Sequence, residues 1–427
     1  MRDEIRSRIK ALSKKANHDA LIIIDGASHK LRNHDVTYTF YQSSDFMYLS
    51  GWLQPNARLL IYVGDDVQST LFCEPSNAEI ERWEGVRLSP DEILAKGHAD
   101  KVLTTDEYDA HLKKLLTKAK HIYFPFSAFD QYNDLISNYL NEIAGKRVSR
   151  ITPTINDLNT LVGPLRLIKS NQEIERMRHA AEISAKAHMM LMQEAKPGLK
   201  EYQLAADFEY YCKYHGCPHL AYDSIVASGK NACILHYTST LDTLKEGDLI
   251  LVDAGGEYQG YASDISRTFP VSGRFSEAQK SLYNVVLDAQ SQVIKAIKPG
   301  VTIPYLQSVA KKYLFEGLKA LGMIQNFKES HISHYYFHGV SHWLGLDVHD
   351  ACPYLGEDEK PLVLEPGMTL TVEPGLYFGD HLDTVHSDFH HLGIRIEDDI
   401  VVTEDGADVL SKDCPKQTHE IEEIMSV

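Results

Sequence analysis

Cysteine is scarce in this chain and its few copies lie apart. Cys73, Cys212, Cys217, Cys233, Cys352 and Cys414 are the only six in 427 residues. No close pair of the kind found in zinc ribbons or redox motifs occurs among them, and scattered thiols suit a reducing compartment better than a disulfide framework. Long apolar runs are missing too. Nothing approaches the ~18 residues that read as a membrane span, and Met1-Arg-Asp-Glu-Ile-Arg opens a charged amphipathic segment rather than a signal peptide. A cytoplasmic location is therefore expected. Basic charge is in deficit, with 43 Lys and Arg against 60 Asp and Glu and a formal net charge of -17. No Lys/Arg-rich run offsets it, which argues against nucleic-acid or anionic-membrane partners. Low-complexity segments are absent. What remains, 43% hydrophobic and 24% charged, is an ordinary globular composition. The length exceeds what one core usually supports, so two domains are expected.

Periodicity places the boundary near residue 160. Before it, Ala20-Leu-Ile-Ile-Ile-Asp25, Leu59-Leu-Ile-Tyr-Val63, Ser69-Thr-Leu-Phe-Cys73 and His121-Ile-Tyr-Phe124 read as short buried strands. They alternate with helical patterns at about 3–16, 89–96, 106–118 and 129–144, which makes residues 1–157 a small α/β domain. Ile151-Thr-Pro-Thr-Ile-Asn-Asp157 carries Pro and Asn/Asp punctuation and reads as connecting chain, with 158–170 as the linker. The second domain, 171–427, opens at the capping box Ser170-Asn-Gln-Glu173 with a long helix, and further helices are expected at about 276–296 and 303–320.

The second domain contains an internal repeat. Gly247-Asp-Leu-Ile-Leu-Val-Asp253-Ala-Gly255 has the layout of Gly367-Met-Thr-Leu-Thr-Val-Glu373-Pro-Gly375, acid at the seventh place and glycine at the first and ninth. Asp264 precedes Gly273 by nine residues, and Glu397 precedes Gly406 by nine. Lys196-Pro-Gly and Lys298-Pro-Gly each end one helical pattern and open the next. Two such halves packed about a pseudo-twofold axis bring Asp253 and Asp264 against Glu373 and Glu397. With His342 these form a set of four carboxylates and one imidazole. Oxygen-rich ligands with a single His suit hard to borderline divalent cations such as Mn²⁺, and four clustered acids would repel one another without cations between them. The set is that of a two-metal hydrolase. Taken singly, each acid would pass for a solvated strand end; matched duplication makes that a poor account of all four.

A second group, Cys212, His215, Cys217 and His219, holds the atoms of a tetrahedral zinc site within eight residues. Its spacing matches no usual finger, and a helix running into a Gly216/Pro218 turn explains it without metal.

Six motifs in order make the chain recognisable. They are Ile234-Leu-His-Tyr237, Val252-Asp-Ala-Gly255, Asp264-Ile-Ser-Arg-Thr-Phe-Pro270, His338 through Asp350, Thr371-Val-Glu-Pro-Gly-Leu-Tyr377 and Gly393-Ile-Arg-Ile-Glu-Asp-Asp399. Together they resemble the Xaa-Pro aminopeptidase (aminopeptidase P) branch of the creatinase/prolidase metallopeptidases. Tyr41-Gln-Ser-Ser-Asp-Phe-Met-Tyr-Leu-Ser-Gly51 extends the resemblance into the first domain. The resemblance implies an α+β chain: a pita-bread catalytic domain with a pseudo-twofold repeat, preceded by a smaller α/β domain. It further implies two metal ions, Mn²⁺ in the first instance, and removal of an N-terminal residue that precedes proline. The proline specificity rests on the resemblance alone.

Residue by residue, the resemblance implies Asp253 on one metal, Asp264 and Glu397 as bridging carboxylates, and His342 and Glu373 on the other. A metal-bridging hydroxide attacks the scissile carbonyl, with Glu373 as general base and then acid toward the leaving proline nitrogen. His236, His338 and His349 line the pocket and donate to the substrate carbonyl or the tetrahedral oxyanion. Arg395, two residues before Glu397, shares its strand face and holds a carboxylate by a bidentate fork, with Tyr222 beside it. Trp83 and Tyr377 are expected as an apolar wall for the proline ring. Asp35 is expected to meet the substrate ammonium, from a neighbouring subunit of a homodimer or homotetramer. His386, His390 and His391 are read as ordinary surface histidines on a rim loop between Glu373 and Glu397. The main alternative is a prolidase that cleaves Xaa-Pro dipeptides, disfavoured by the short 24-residue interval from Glu373 to Glu397. A binding protein of the same fold that has lost catalysis is disfavoured by the intact ligand set.

Overall fold

The computed structural model describes residues 2–144, 152–324, 329–382 and 387–426. His386 and Ile151 lie outside them. Contacts divide the chain into two compact units, Met1–Leu165 and Arg166–Val427.

The first unit is built on a six-stranded sheet of β1 (Ala20–Asp25), β2 (Arg58–Val63), β3 (Val67–Cys73), β4 (Lys101–Thr104), β5 (His121–Phe124) and β6 (Thr154–Asp157). Their order is β4-β3-β2-β1-β5-β6. β1, β2 and β3 run antiparallel, while β4, β5 and β6 join as parallel strands after helical crossovers. Four of its helices, α1 (Arg2–Lys15), α2 (Pro90–Lys96), α3 (Tyr108–Leu116) and α4 (Phe129–Ala144), lie close to the expected spans, and two short ones, Ser44–Ser50 and Glu81–Glu84, were not anticipated. The stretch read as connecting chain is a correction: its residues 154–157 are strand β6, paired in register with β5. Pro153 and the Asn156-Asp157 pair are tolerated because β6 is the last strand of the sheet, where one side needs no ladder. The expected linker likewise contains a helix, α5 (Asn159–Leu167), with Leu161 and Val162 buried.

The second unit shows the repeat bond by bond. Ser170 caps α6 (Asn171–Glu194) and Ser276 caps α8 (Glu277–Ala296), each through a capping box. After each comes Lys-Pro-Gly, then α7 (Glu201–Tyr214) or α9 (Ile303–Ala320). Gly198 N–H donates to Leu244 O and Gly300 N–H to Leu364 O, both at 2.9 Å. Three residues after each of those leucines a glycine turns the chain at positive φ, Gly247 at 88° and Gly367 at 87°. The strands that follow are β8 (Leu249–Asp253) with β7 (Ile225–Ser228) and β9 (Ser266–Pro270), and β10 (Thr369–Val372) with β13 (Asp398–Val402) and β14 (Ala407–Val409). A hairpin of β11 (Gly375–Tyr377) and β12 (Gly393–Arg395) lies between them in sequence, and α10 (Thr418–Ile424) follows. One continuous apolar core, including Phe208, Phe269, Tyr283, Leu314 and Trp343, joins the two halves. Strands β8, β10 and β13 are buried along their whole length, and β8 accordingly reads as an apolar run, Leu249-Ile-Leu-Val252. Among the described residues no helix is long and apolar enough to cross a membrane.

Candidate active site and metal centre

β8 ends on Asp253, and the chain must turn back at once to place Asp264 beside it. Gly255 permits this: a Cβ there would lie 1.7 Å from the Ser263 carbonyl oxygen. The Tyr222 hydroxyl then sits 2.5 Å from Oδ1 of both Asp253 and Asp264, sharing one proton between two carboxylates. Glu373 follows β10 directly, and Glu397 lies between β12 and β13. His342 is fixed to β10 from a loop, where Thr371 N–H donates to its carbonyl at 3.0 Å and its own N–H donates to Thr371 Oγ1 at 3.2 Å. Its Nδ1–H donates to the Trp343 carbonyl at 3.1 Å. That fixes the ring so that Nε2 faces Asp264 Oδ2 at 3.3 Å, Glu373 Oε1 at 3.6 Å and Glu397 Oε1 at 4.0 Å. All four acids and His342 line one cavity of ≈ 500 Å³ with Tyr222, Ile225, Leu235, His236, His338, Val348, His349 and Arg395 among the other walls.

Arg395 organises the rear of this cavity. Its Nη2 donates to Asp253 Oδ2 at 2.5 Å, its Nε to Ser266 Oγ at 3.0 Å, and its Nη1 to the Tyr377 hydroxyl at 3.0 Å. The Ser266 hydroxyl donates in turn to Glu397 Oε2 at 2.7 Å. Tyr377 in turn donates to His338 Nε2 at 2.8 Å, leaving His338 Nδ1–H toward the Gly339 carbonyl at 2.8 Å and Glu373 Oε2 at 3.5 Å. His349 meets the His342 ring edge-on at 4.4 Å. Tyr377 is thus a correction to its expected place. Its side chain is fully buried and its hydroxyl engaged on both sides, so it supports His338 and Arg395 from behind and presents no face to a proline ring. Asp35 and Trp83 belong to the first unit, both exposed, and are not among the residues lining the cavity.

The electrostatics expose a charge imbalance. Burial pushes Glu373 up to about 7 against the pull of His342 and Arg395, and pushes Glu397 well above the usual carboxylate range with the help of Asp264 and Glu373. Asp253 is raised by burial despite Arg395. Only Asp264 is lowered: burial works against it, but the hydrogen bond and charge of His342 outweigh that. His342, opposed by burial, is carried up to about 9 by Asp264 and Glu373. His338 is driven down to about 3 by burial and then by Arg395, so it is neutral. Four carboxylates facing one guanidinium and one imidazole take up protons to relieve their repulsion. Divalent cations would relieve it instead, and Asp264, His342 and Glu397 already offer ligand atoms within 4.8 Å of one another. The donor set fits such ions.

Residues that the motifs did not single out hold the acids in place. Arg267, fully buried, donates to the Ser266 and Glu397 carbonyls and to Asp398 Oδ1. Asp399 accepts from the Asp264 backbone N–H at 3.0 Å and from Ser263 Oγ at 2.9 Å, bonding one half of the repeat to the other. His188 of α6, also fully buried, bonds the Ala254 carbonyl next to Asp253 at 3.0 Å. The available signal for Asp399 was the run Glu397-Asp398-Asp399 itself, since a strand sends alternate residues to opposite faces.

Residues 175–404 match the model of metallopeptidase family M24, and residues 5–123 match that of the aminopeptidase P N-terminal domain. The Xaa-Pro aminopeptidase of Escherichia coli (strain K12) is 37% identical, covering 99% of this chain and 98% of the relative. Human Xaa-Pro aminopeptidase 3 is 32% identical, with 98% and 83% covered. Pseudomonas aeruginosa aminopeptidase PepP superposes with a TM-score of 0.95 at 37% identity, covering 100% of this chain and 98% of that one. E. coli aminopeptidase P with the inhibitor Pro-Leu gives 0.93 at 37% identity and the same coverage. Fold and converging acids define a metallopeptidase, and the chain belongs to metallopeptidase family M24. Within that family it stands with the Xaa-Pro aminopeptidases, pita-bread fold and aminopeptidase P N-terminal domain included. Its activity is that of a metallo-exopeptidase using divalent metal ions, which takes the N-terminal residue from peptides with proline in second place.

Proposed function

We propose that two Mn²⁺ ions serve this activity, with Asp253 on one, Asp264 and Glu397 shared between them, and His342 and Glu373 on the other. The observation that carries the reading is the meeting of acids from both halves of the repeat on one cavity. Bound there, the ions would supply an activated water and polarise the scissile carbonyl. Glu373, at the end of β10 with Oε2 3.5 Å from His338 Nδ1, would take the proton from that water and return it to the leaving proline nitrogen. His236 and His349 on the cavity wall donate toward the substrate; His338, neutral and oriented by Tyr377, joins them only by turning its one N–H, on Nδ1, from the Gly339 carbonyl to the substrate. Tyr222 and Arg395 fix the orientation of Asp253 by donating to its two oxygens. Ile225, Leu235 and Val348 provide apolar surface for the proline ring, the part first expected of Tyr377.

We further propose a cytoplasmic homodimer or homotetramer in which Asp35 meets the substrate ammonium and Trp83 contacts the peptide. The 88% exposure of Trp83 supports a partner for it. Light scattering after size exclusion, alongside Trp83→Ala kinetics, tests this.

The central reading is tested by offering an Xaa-Pro-Yaa tripeptide and the matching Xaa-Pro dipeptide to Mn²⁺-loaded protein, with EDTA and Asp264→Ala controls. Faster release of Xaa from the tripeptide, abolished in both controls, is the expected result. Cleavage of the dipeptide alone would make the protein a prolidase.

A further inference from the structure

The chain between β11 and β12 carries chemistry that the catalytic cavity does not use. Residues 380–391 include four histidines and three aspartates, the densest run of metal-ligand types in the chain. Three of them come together. His391 Nε2 lies 2.7 Å from Asp380 Oδ1, His390 Nε2 lies 3.5 Å from the same oxygen, and the two rings stack at 3.8 Å between centroids. One ligand atom from each lies within 4.8 Å of the other two. The backbone sets this up: His391 N–H donates to the Phe378 carbonyl at 2.7 Å and Phe378 N–H to Leu392 O at 2.8 Å. That bonding holds His391 at a φ of +65° and keeps Asp380 opposite it across the hairpin. None of the three is among the residues lining the catalytic cavity.

We infer that Asp380, His390 and His391 form a separate binding site for a borderline divalent cation of the Zn²⁺ type. Two imidazoles and one carboxylate are a ligand set for Zn²⁺, Ni²⁺ or Cu²⁺, whereas the oxygen-rich cavity suits harder ions. Ligand atoms at the corners of a Zn²⁺ tetrahedron stand about 3.3 Å apart, given bond lengths of about 2.0 to 2.1 Å, so small side-chain rotations from the observed 2.7 and 3.5 Å complete three corners. Water fills the fourth at this exposed position. The ion would join Asp380 to His390 and His391 and so brace the hairpin that carries Tyr377 and Arg395. Lys230 faces Asp380 and Asp248 faces His391, opposite charges that leave the site's own carboxylate as its main attraction for a cation.

Zinc counting tests the site independently of peptide cleavage. Wild-type protein, the His390→Gln/His391→Gln double variant and Asp380→Asn are equilibrated with Zn²⁺, gel-filtered and analysed for metal, with circular dichroism to confirm that each is folded. Wild-type protein is expected to retain one equivalent more per chain than either variant. Diethyl pyrocarbonate labelling read by mass spectrometry is expected to show His390 and His391 protected by Zn²⁺ in the wild type. Equal zinc content in all three proteins, or labelling of both histidines unchanged by Zn²⁺, overturns the proposal.

Discussion

The Arg395 guanidinium serves three partners at once, Asp253, Ser266 and Tyr377, along three different N–H directions. A lysine carries the same charge but not the fork. Arg395→Lys should therefore lower kcat by about 10²-fold, from the loss of two charge-assisted hydrogen bonds at about 1.5 kcal/mol each, while metal content stays near wild type. Tyr377→Phe makes a finer cut. It removes only the hydroxyl between Arg395 and His338, and should cost about thirtyfold in kcat with KM little changed, since the two buried bonds it breaks are worth about 1 kcal/mol each. Steady-state kinetics on a tripeptide with metal analysis of each variant checks both. A Tyr377→Phe enzyme with unaltered kcat would remove the hydroxyl from any part in orienting His338.

At the scale of the elements, the turn after β8 is the tightest constraint in the site. Gly255→Ala forces a methyl group onto the Ser263 carbonyl and should destabilise by more than about 3 kcal/mol, with loss of bound metal. Gly300→Ala, at a positive φ of 90° with open space around it, should cost only about 1 kcal/mol. Urea unfolding of the two variants gives the comparison. Strand β13 carries a second, pH-dependent element of stability. Burial opposes the ionised form of Asp398, but Arg267 and Lys416 outweigh it and hold the carboxyl at about 2. A folded value below the unfolded one stabilises above the unfolded value, near pH 4, and the contribution fades as pH falls through about 2. About 2 kcal/mol should be lost over that range. Asp398→Asn should flatten the acid limb of a urea-midpoint profile, and an unchanged limb would refute the assignment.

The same elements explain what could be read in advance. The helices were legible because their signals are local: Ser170 and Glu173 lie one turn apart, and apolar spacing runs unbroken from Ile174 to Met192. The four clustered acids were legible because the repeat states each position twice, whereas His342 has no counterpart in the repeat. β6 was not, since its Pro and Asn/Asp residues are tolerated only by virtue of an edge position that depends on pairing with β5. Nor were Ser266, Arg267 and Asp399, whose partners lie about 130 residues away in sequence. Tyr377 was misplaced for a related reason. Its motif identifies the strand, but whether the ring faces the cavity or the core is decided by packing from elsewhere in the fold.

For the whole molecule, the acids lie in one unit, and so should the effect of removing metal. An ion present at 100 times its Kd adds about 2.7 kcal/mol to the unit that binds it. EDTA should therefore speed hydrogen exchange in β8, β10 and β13 while leaving β1, β2 and β5 of the first unit near their original rates, measured by mass spectrometry. Equal acceleration in both units would place the stabilising ions elsewhere.

The bond between Asp399 and the backbone of Asp264 also has a consequence for how the chain is made. At translation rates of roughly 5 to 20 residues per second, Glu397 leaves the ribosome on the order of ten seconds after Asp264. During that interval the first half exists with Asp253 and Asp264 but without Asp399 to fix the turn, Ser266's carboxylate partner, or the other acids of the site. The nascent half can offer a passing cation only a weak, unselective grip. Metal selection is therefore postponed until the strands of the second half are in place.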